Sequence, residues 1–360
     1  MTRILATAQR EFRQFYRDKL TLFIAFGLPF VLITLYGTAL TMNVRNLRLA
    51  VEDLDQTPFS RRYVEAYAAT NKFILVPPSG PVEQMVESAR ARAALRIPPG
   101  FERDLKRGRA PQVQLLIDGT ESNAALLLRG IHSMIPLTLD PIAPRVALHV
   151  RHWYNPGLND HLFFGSGALG LVLILFPALL GALSASREKE LGTITLAYAA
   201  RLKAPEWILG KALPYILLGL VQFAVCFVAG VFIFGYRIPE HPLPLIAGGA
   251  LYIAAAVFYG MIVGNVTGTQ SAAIQAVQFG AFLLSMMLSG FLMPVENIPS
   301  GLRWISNFVP ARHFIEVTRD VMLRGGGWVT SARPLFALAA LLFFFFLSNV
   351  RRMRRMRLDS

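Results

Sequence analysis

Two polar runs in this 360-residue chain have the residue types and spacing to do chemistry. The first is Arg187-Glu188-Lys189-Glu190-Leu191-Gly192-Thr193. Its alternating charges make either a solvated, internally paired helix end or a surface on which a soluble partner can press. Gly192-Thr193 then breaks the helix and can cap a short new one running to Tyr198. The second run is Gln275, Gln278, Phe282, Ser285 and Ser289, with Ser271 ahead of it. Spacings of three and four put these residues on one stripe of a helix. Polar groups facing lipid are costly, so the stripe either hydrogen-bonds neighbouring helices, at about 0.6 kcal/mol each, or lines a cavity. Met286, Met287 and Met293 would give that cavity an adaptable apolar wall.

Other chemistry finds no support. His132, His149 and His152 fit no H-E-x-x-H pattern, and no G-x-S-x-G elbow occurs. His149 and His152 could share a helical face, but adjacent carboxylate or Cys partners are missing. Gly210-Lys211 is followed by Ala212 and lacks the earlier Gly of a phosphate-binding loop. Cys226 is the single cysteine, so no intrachain disulfide can form, and it reads as a small packing residue. The chain is therefore expected to hold no catalytic residue, no metal and no cofactor of its own.

The elements that position these runs are apolar. Hydrophobic residues make up 54% of the chain and charged residues 16%, outside the range of soluble domains. Six apolar stretches, 20–42, 162–186, 212–235, 243–264, 271–293 and 334–350, each come near the ~20 residues that span a bilayer. None carries an interior charge; their interiors offer only Ser, Thr, Gln, Cys and Tyr. Ion-coupled transport needs a titratable or charged group inside the membrane, so the energy for any transport is expected to enter from outside the bilayer. The first stretch is too long for the ~7–15-residue core of a signal peptide and reads as a retained signal-anchor.

Behind the net charge of +14, basic residues concentrate in three clusters: Arg3 to Lys19, Arg187 to Lys211, and Arg351 to Arg357. Alternating spans bring all three to one side, and the positive-inside rule puts that side and both termini in the cytoplasm. Anionic lipid headgroups, not nucleic acid, are the partner this pattern suits. In residues 1–19, Ile4, Ala8, Phe12, Phe15 and Tyr16 share a face away from most of the arginines, as in an amphipathic helix lying in the membrane interface. A basic tail, 351–360, closes the chain.

Residues 44–160 alternate strand-like and helix-like runs. Leu47–Val51, Phe73–Val76, Ala93–Ile97 and Val113–Ile117 read as strands. Arg61–Ala69, capped by Thr57-Pro58, then Val82–Arg90, Gly100–Lys106 and Ser122–Ile135 read as helices. The expected fold is an α-helical polytopic membrane protein with six transmembrane helices and an extracytoplasmic α/β domain inserted between the first and second. The remaining five spans occupy 161–350.

Several local runs then line up in order: Ile97-Pro98-Pro99-Gly100-Phe101, Ile117-Asp118-Gly119, Trp153-Tyr154-Asn155-Pro156, the Arg187–Thr193 run, Gly290-Phe291-Leu292-Met293-Pro294 with Ile298-Pro299, and Val309-Pro310 before Arg312-His313-Phe314. With these the chain resembles the permease subunits of bacterial ABC exporters of the type-2 class. The resemblance implies a dimer with a second, identical or related permease. It implies a cytoplasmic ATP-binding cassette subunit that uses ATP and Mg and presses on the coupling loop 187–206, through Arg187, Glu188, Lys189, Glu190, Gly192 and Thr193. It also implies a region, 294–330, that partly re-enters the outer leaflet. Leu196-Ala197-Tyr198-Ala199-Ala200 departs from it, since relatives carry a more polar run there.

The expected function is export of hydrophobic or amphipathic small molecules, drug-like or lipid-like, across the bacterial inner membrane, with Gln275, Gln278, Phe282, Ser285 and Ser289 on the substrate route. A periplasmic adaptor is a further expected partner. The alternative is a membrane-anchored assembly or receptor protein acting through its ectodomain. A passive channel fits less well, because no charged ring or filter-like repeat is present.

Overall fold

A computed structural model describes the chain except residues 1, 18, 40–46, 79, 89, 110, 118–130, 132–159, 193–202, 237 and 357–360. It separates into two compact units, residues 41–151 and residues 1–40 with 152–360.

The smaller unit is α/β. Strands β1 (Leu47–Asp53), β2 (Phe73–Val76), β3 (Ala93–Ile97) and β4 (Gln114–Ile117) form one sheet in the order β2-β1-β3-β4. β1 runs parallel to both neighbours, and β4 is antiparallel to β3. A core of Leu49, Tyr63, Tyr67, Leu95, Ile97 and Phe101 lies between the sheet and the helices α3 (Pro58–Ala69) and α5 (Phe101–Lys106). On other apolar positions of the sheet, Val82 and Met85 of α4 (Val82–Glu87) pack with Ala50 and Ala94. The acidic turn after β1 is a structural knot. Asp53 accepts from the Asp55 and Gln56 amides and the Ser60 hydroxyl, while Thr57 caps α3 in a capping box with Ser60. Asp55 accepts from the Gly100 amide at 2.6 Å and the Glu102 amide at 3.0 Å, which ties β1 to the start of α5. Burial pushes the Asp55 carboxyl up, but the bonds from Thr57, Glu102, Gly100 and Phe101 together outweigh it and hold the group below its ordinary 3.8. Apart from Ile131, the expected helix at 122–135 lies outside the described residues, as do His132, His149, His152 and the Trp153–Pro156 run.

The larger unit is helical. After α1 (Thr2–Arg17) and α2 (Lys19–Ala39) come α6 (Asp160–Glu190), α7 (Ala204–Phe234) and α8 (Leu243–Val266). A broken fifth segment comes next, built of α9 (Gln270–Val277), a π turn (Gln278–Leu283) and α10 (Leu284–Leu288); then α11 (Ser300–Ser306), α12 (Pro310–Leu323) and α13 (Trp328–Met356). Five of these segments are long and apolar enough to cross a membrane: His161–Glu190, Ala204–Phe234, Leu243–Val266, Gln270–Leu288 and Trp328–Arg354. α2 is 21 residues long, and its described apolar part is the shorter stretch Ala25–Tyr36.

α6 is the centre of this unit. It is apolar on all sides, as a fully enclosed helix must be, and Ala168, Leu169, Leu171, Val172 and Ala178 are wholly buried. It packs on α8 with almost no side chain between the backbones. A Cβ on Gly260 would run into the Ala178 carbonyl, and one on Gly264 into that of Ala182. Gly260 and Gly264 are thus small residues at a close helix contact, a small-xxx-small pair. Tyr252 of α8 donates to the Gly170 carbonyl at 2.5 Å and stacks on Phe314 of α12, with centroids 4.5 Å apart. α12 sinks Phe314, Ile315, Val317 and Val321 into this core and leaves Glu316 exposed.

Two expectations need correction. The third span begins at Ala204, not 212, so Lys211 lies inside the helix and is 1% exposed. Second, α1 is amphipathic but does not lay the whole expected face outward. Ala8, Glu11 and Phe15 are buried against α7, while Phe12 and Tyr16 point away and are 47% and 70% exposed. Glycine allows this approach: a Cβ on Gly210 would sit 2.7 Å from Thr7 Cβ and 3.0 Å from the Ile4 carbonyl oxygen.

Candidate functional site

The charged run at the end of α6 divides its side chains among the neighbouring helices. Glu188 turns inward and is buried, and its Oε1 lies 3.0 Å from Lys211 Nζ of α7. The same ammonium lies 3.4 Å from Glu11 Oε1 of α1 and donates to the Ser184 carbonyl at 2.6 Å. The ammonium thus faces two carboxylates and one carbonyl. The Tyr215 hydroxyl donates to Glu11 Oε2 at 2.8 Å, and the Trp207 ring lies 5.0 Å from the ammonium. One buried cation joins α1, α6 and α7. Glu188, expected on the surface, is an interior ion-pair residue.

Lys189 and Glu190 are exposed and reach the opposite way. Lys189 Nζ donates to the Asn265 and Thr267 carbonyls at 3.4 and 3.3 Å, at the end of α8. Glu190 Oε2 accepts from the Gln270 amide at 3.2 Å and from its side-chain Nε2 at 2.9 Å, at the start of α9. A cation on a helix C-terminus and an anion on a helix N-terminus are the stabilising arrangement for each. Asn265 extends the network to Asn349 of α13, whose amide donates to the Phe258 and Phe345 carbonyls. The uncharged segment Asn265–Gln270 is therefore the receiving half of a clamp. Arg187 is half-buried and Gly192 sits in an exposed turn with φ +67°. Thr193 and the expected short helix to Tyr198 lie outside the described residues.

The polar run of the fifth segment does not form one stripe. Gln275 and Gln278 are exposed, Phe282 is half-buried 6.5 Å from the Tyr36 ring, and Ser285 and Ser289 are buried within the helical unit. The π turn between them is the cause. It inserts a residue into the α-helical register and so rotates the residues beyond it by about 100°. The exposed face instead runs through Gln275, Gln278 and Phe279 to Leu283, Leu284 and Met287. Two exposed amides on a membrane-length helix need a polar partner or water, so this end of the face suits a protein or cavity neighbour, not lipid.

A second cation, half-buried, carried no weight in the sequence pattern. Arg319 of α12 donates to the Gly290 and Phe291 carbonyls at 2.8 and 3.4 Å and stands 4.0 Å over the Phe163 ring. It closes the end of the fifth segment where Gly290, with φ +83°, turns the chain. Beside it, buried Asp320 accepts from Ser331 at 3.0 Å.

Residues 19–350 match the family described as ABC-2 family transporter protein. Among similar proteins, Escherichia coli (strain K12) YbhS, named "Probable multidrug ABC transporter permease", is 26% identical over 98% of this chain and 97% of its own length. E. coli YbhR, which carries the same description, is 26% identical over 89% of this chain and 90% of its own. The "Inner membrane transport permease" YhhJ of E. coli is 26% identical over 96% and 95%.

Proposed function

Because the chain belongs to the ABC-2 transporter family and is a multi-pass membrane permease, we propose that it is the membrane subunit of an ATP-driven exporter for hydrophobic or amphipathic small molecules. In this reading α2 supplies the sixth span, both termini are cytoplasmic, and residues 44–160 fold outside. A second permease copy or a related chain completes the pathway, and a periplasmic adaptor can extend it. ATP and Mg are used by a separate cytoplasmic cassette subunit that presses on the loop 187–206.

The observation that carries this reading is the clamp at Glu188, Lys189 and Glu190. The loop between α6 and α7 starts from a helix end bonded to α7, α8 and α9, and through Lys211 to α1. Force applied to that loop is delivered to four helices together, and one of them, α9, carries Gln275 and leads directly into Gln278. Lys211 does not revive ion-coupled transport as the energy source. It lies seven residues past the start of α7, about 10 Å along the helix, and is held by two carboxylates and a carbonyl instead of facing an open path.

The test is co-purification in mild detergent with an assay of the ATPase that accompanies the chain. The expected result is a cassette subunit whose hydrolysis responds to added drug-like or lipid-like compounds. Lys189→Gln with Glu190→Gln should leave the complex assembled and blunt that response. Purification with no ATPase, and full function of the chain alone, would remove the reading.

A further inference from the structure

On its outer surface the helical unit carries an open groove of about 720 Å3. Phe23, Phe26, Gly27 and Phe30 of α2 and Val225 of α7 form its walls, with Tyr16 and Lys19 at one end. The four α2 residues fall at i, i+3, i+4 and i+7, one helical face. That face has no partner of its own kind: Phe23 and Phe30 are 75% and 45% exposed. Gly27 makes it concave. A Cβ there would meet only the Phe23 ring, at an ordinary 3.7 Å, so the space is open and not enforced by a close backbone.

The dimensions and the charge identify an occupant. From Lys19 to Phe30 the wall runs eleven residues, about 16 Å along the helix, against about 15 Å for the hydrocarbon of one leaflet. The Lys19 end is rimmed by cations. Arg10, Arg13 and Arg17 are exposed at i, i+3 and i+7 of α1, the helix that also supplies Tyr16, and line, with Ala6 and Gln9, a second depression of about 500 Å3. No ion pair among the described residues engages these arginines or Lys19. An apolar helix in the groove would leave this rim unmatched, and a soluble anion would leave the aromatic wall unmatched. A molecule with one long apolar chain and an anionic head matches both.

We propose that the groove seats one acyl chain of an anionic phospholipid of the adjacent leaflet, with its phosphate among Arg13, Arg17 and Lys19 and within reach of the Tyr16 hydroxyl. The bound lipid would hold the elbow between α1 and α2, and α1 supplies Glu11 to the Lys211 cluster. The proposal rests on the membrane placement of α2 and is independent of ATP-driven transport, so a chain that fails every transport assay still tests it.

The experiment is native mass spectrometry of the delipidated full chain titrated with phosphatidylglycerol, phosphatidylcholine or glycerol phosphate. The wild type should hold one phosphatidylglycerol saturably, in preference to phosphatidylcholine, and ignore glycerol phosphate at the same concentration. Gly27→Leu fills the groove and should lower phosphatidylglycerol binding at least ten-fold. Arg13→Gln with Arg17→Gln should cut the preference for the anionic lipid about 25-fold, at about five-fold per cation near the headgroup, while chain binding persists. The rim variant changes only exposed side chains, so it remains informative if Gly27→Leu folds poorly. Unsaturable binding, equal affinity for the two lipids, competition by glycerol phosphate, or a folded Gly27→Leu variant that binds as the wild type would each overturn the proposal.

Discussion

Lys211→Met isolates the buried cluster that joins α1, α6 and α7. The lysine is 1% exposed, and the Glu11 and Glu188 side chains are 7% and 11% exposed. Methionine is close in length and fits the same cavity, so the main effect is electrostatic: two carboxylates stay buried without their cation. Breaking a buried pair from one side costs about 3–5 kcal/mol, which for a unit of this size lowers the melting temperature by roughly 10 °C. The chain carries its own probe, since Cys226 is its single cysteine and is buried. A thiol-reactive dye therefore reports opening of the helical unit directly. Adding Glu11→Gln and Glu188→Gln to Lys211→Met removes the orphaned charges and should recover at least half of the loss, because contacting residues are not additive. If Lys211→Met melted with the wild type, or if the triple variant melted no higher than the single one, the cluster would not hold these helices together.

The two exposed residues of the clamp behave differently: Glu190→Gln and Lys189→Gln should each leave the melting temperature almost unchanged, as exposed charges do, while lowering substrate-stimulated hydrolysis, read on the purified complex. Gln278→Leu should change which compounds are exported at unchanged melting temperature, whereas Ser285→Ala, inside the helical unit, should leave the substrate profile alone. A cysteine at exposed Gly80 should react with an impermeant maleimide from outside intact cells, and one at Lys203 should not; the opposite pattern defeats the proposed orientation. Acid should loosen the α/β unit through Asp55. Its folded-state value lies below 3.8, so its stabilisation is full above the unfolded value and is lost as pH falls through the folded one. Asp55→Asn should flatten that low-pH loss of amide protection in β1 and β3 on the intact protein.

Period and punctuation made most of the elements legible. Phe73–Val76 and Ala93–Ile97 stand where the apolar runs put them, and Thr57-Pro58 caps α3 as that dipeptide requires. Geometry set by tertiary partners was not legible. The basic Lys211 looked like the flank of a span because hydropathy weighs a charge by its type, not by the two carboxylates that meet it from distant segments. Glu188 and Glu190 are identical in a one-dimensional pattern, yet two residues of helix phase, about 200°, send the first inward and the second to Gln270. The Gln275–Ser289 stripe failed for a related reason. Its three-four spacing assumes an unbroken α-helix, and nothing in Gln278–Leu283 signals the π turn that rotates its second half into the core.

That difference between inward and outward charges bears on which contacts can change during transport. A buried pair cannot be opened without leaving desolvated charges, so Glu188, Lys211 and Glu11 are suited to moving as one body. Lys189 and Glu190 are exposed, and water replaces either partner at little cost. A push on the loop after Gly192 would then carry α1, α6 and α7 together and exchange the bonds to α8 and α9. The weak side of the clamp is the side that leads to Gln275 and Gln278, where a route must open and close. The π turn that begins at Gln278 reinforces the asymmetry, because a locally underwound register marks where a helix bends most readily. Motion introduced at Gln270 would therefore reorient α9 on one side of the turn. On the other side α10, held by buried Ser285 and by the bond from the Ser306 hydroxyl to the Leu288 carbonyl at 2.5 Å, stays with the core. Crosslinking Glu190 to Gln270 through paired cysteines should accordingly arrest transport with ATP still bound by the partner, while a crosslink between the Ser306 and Leu288 positions should leave it running.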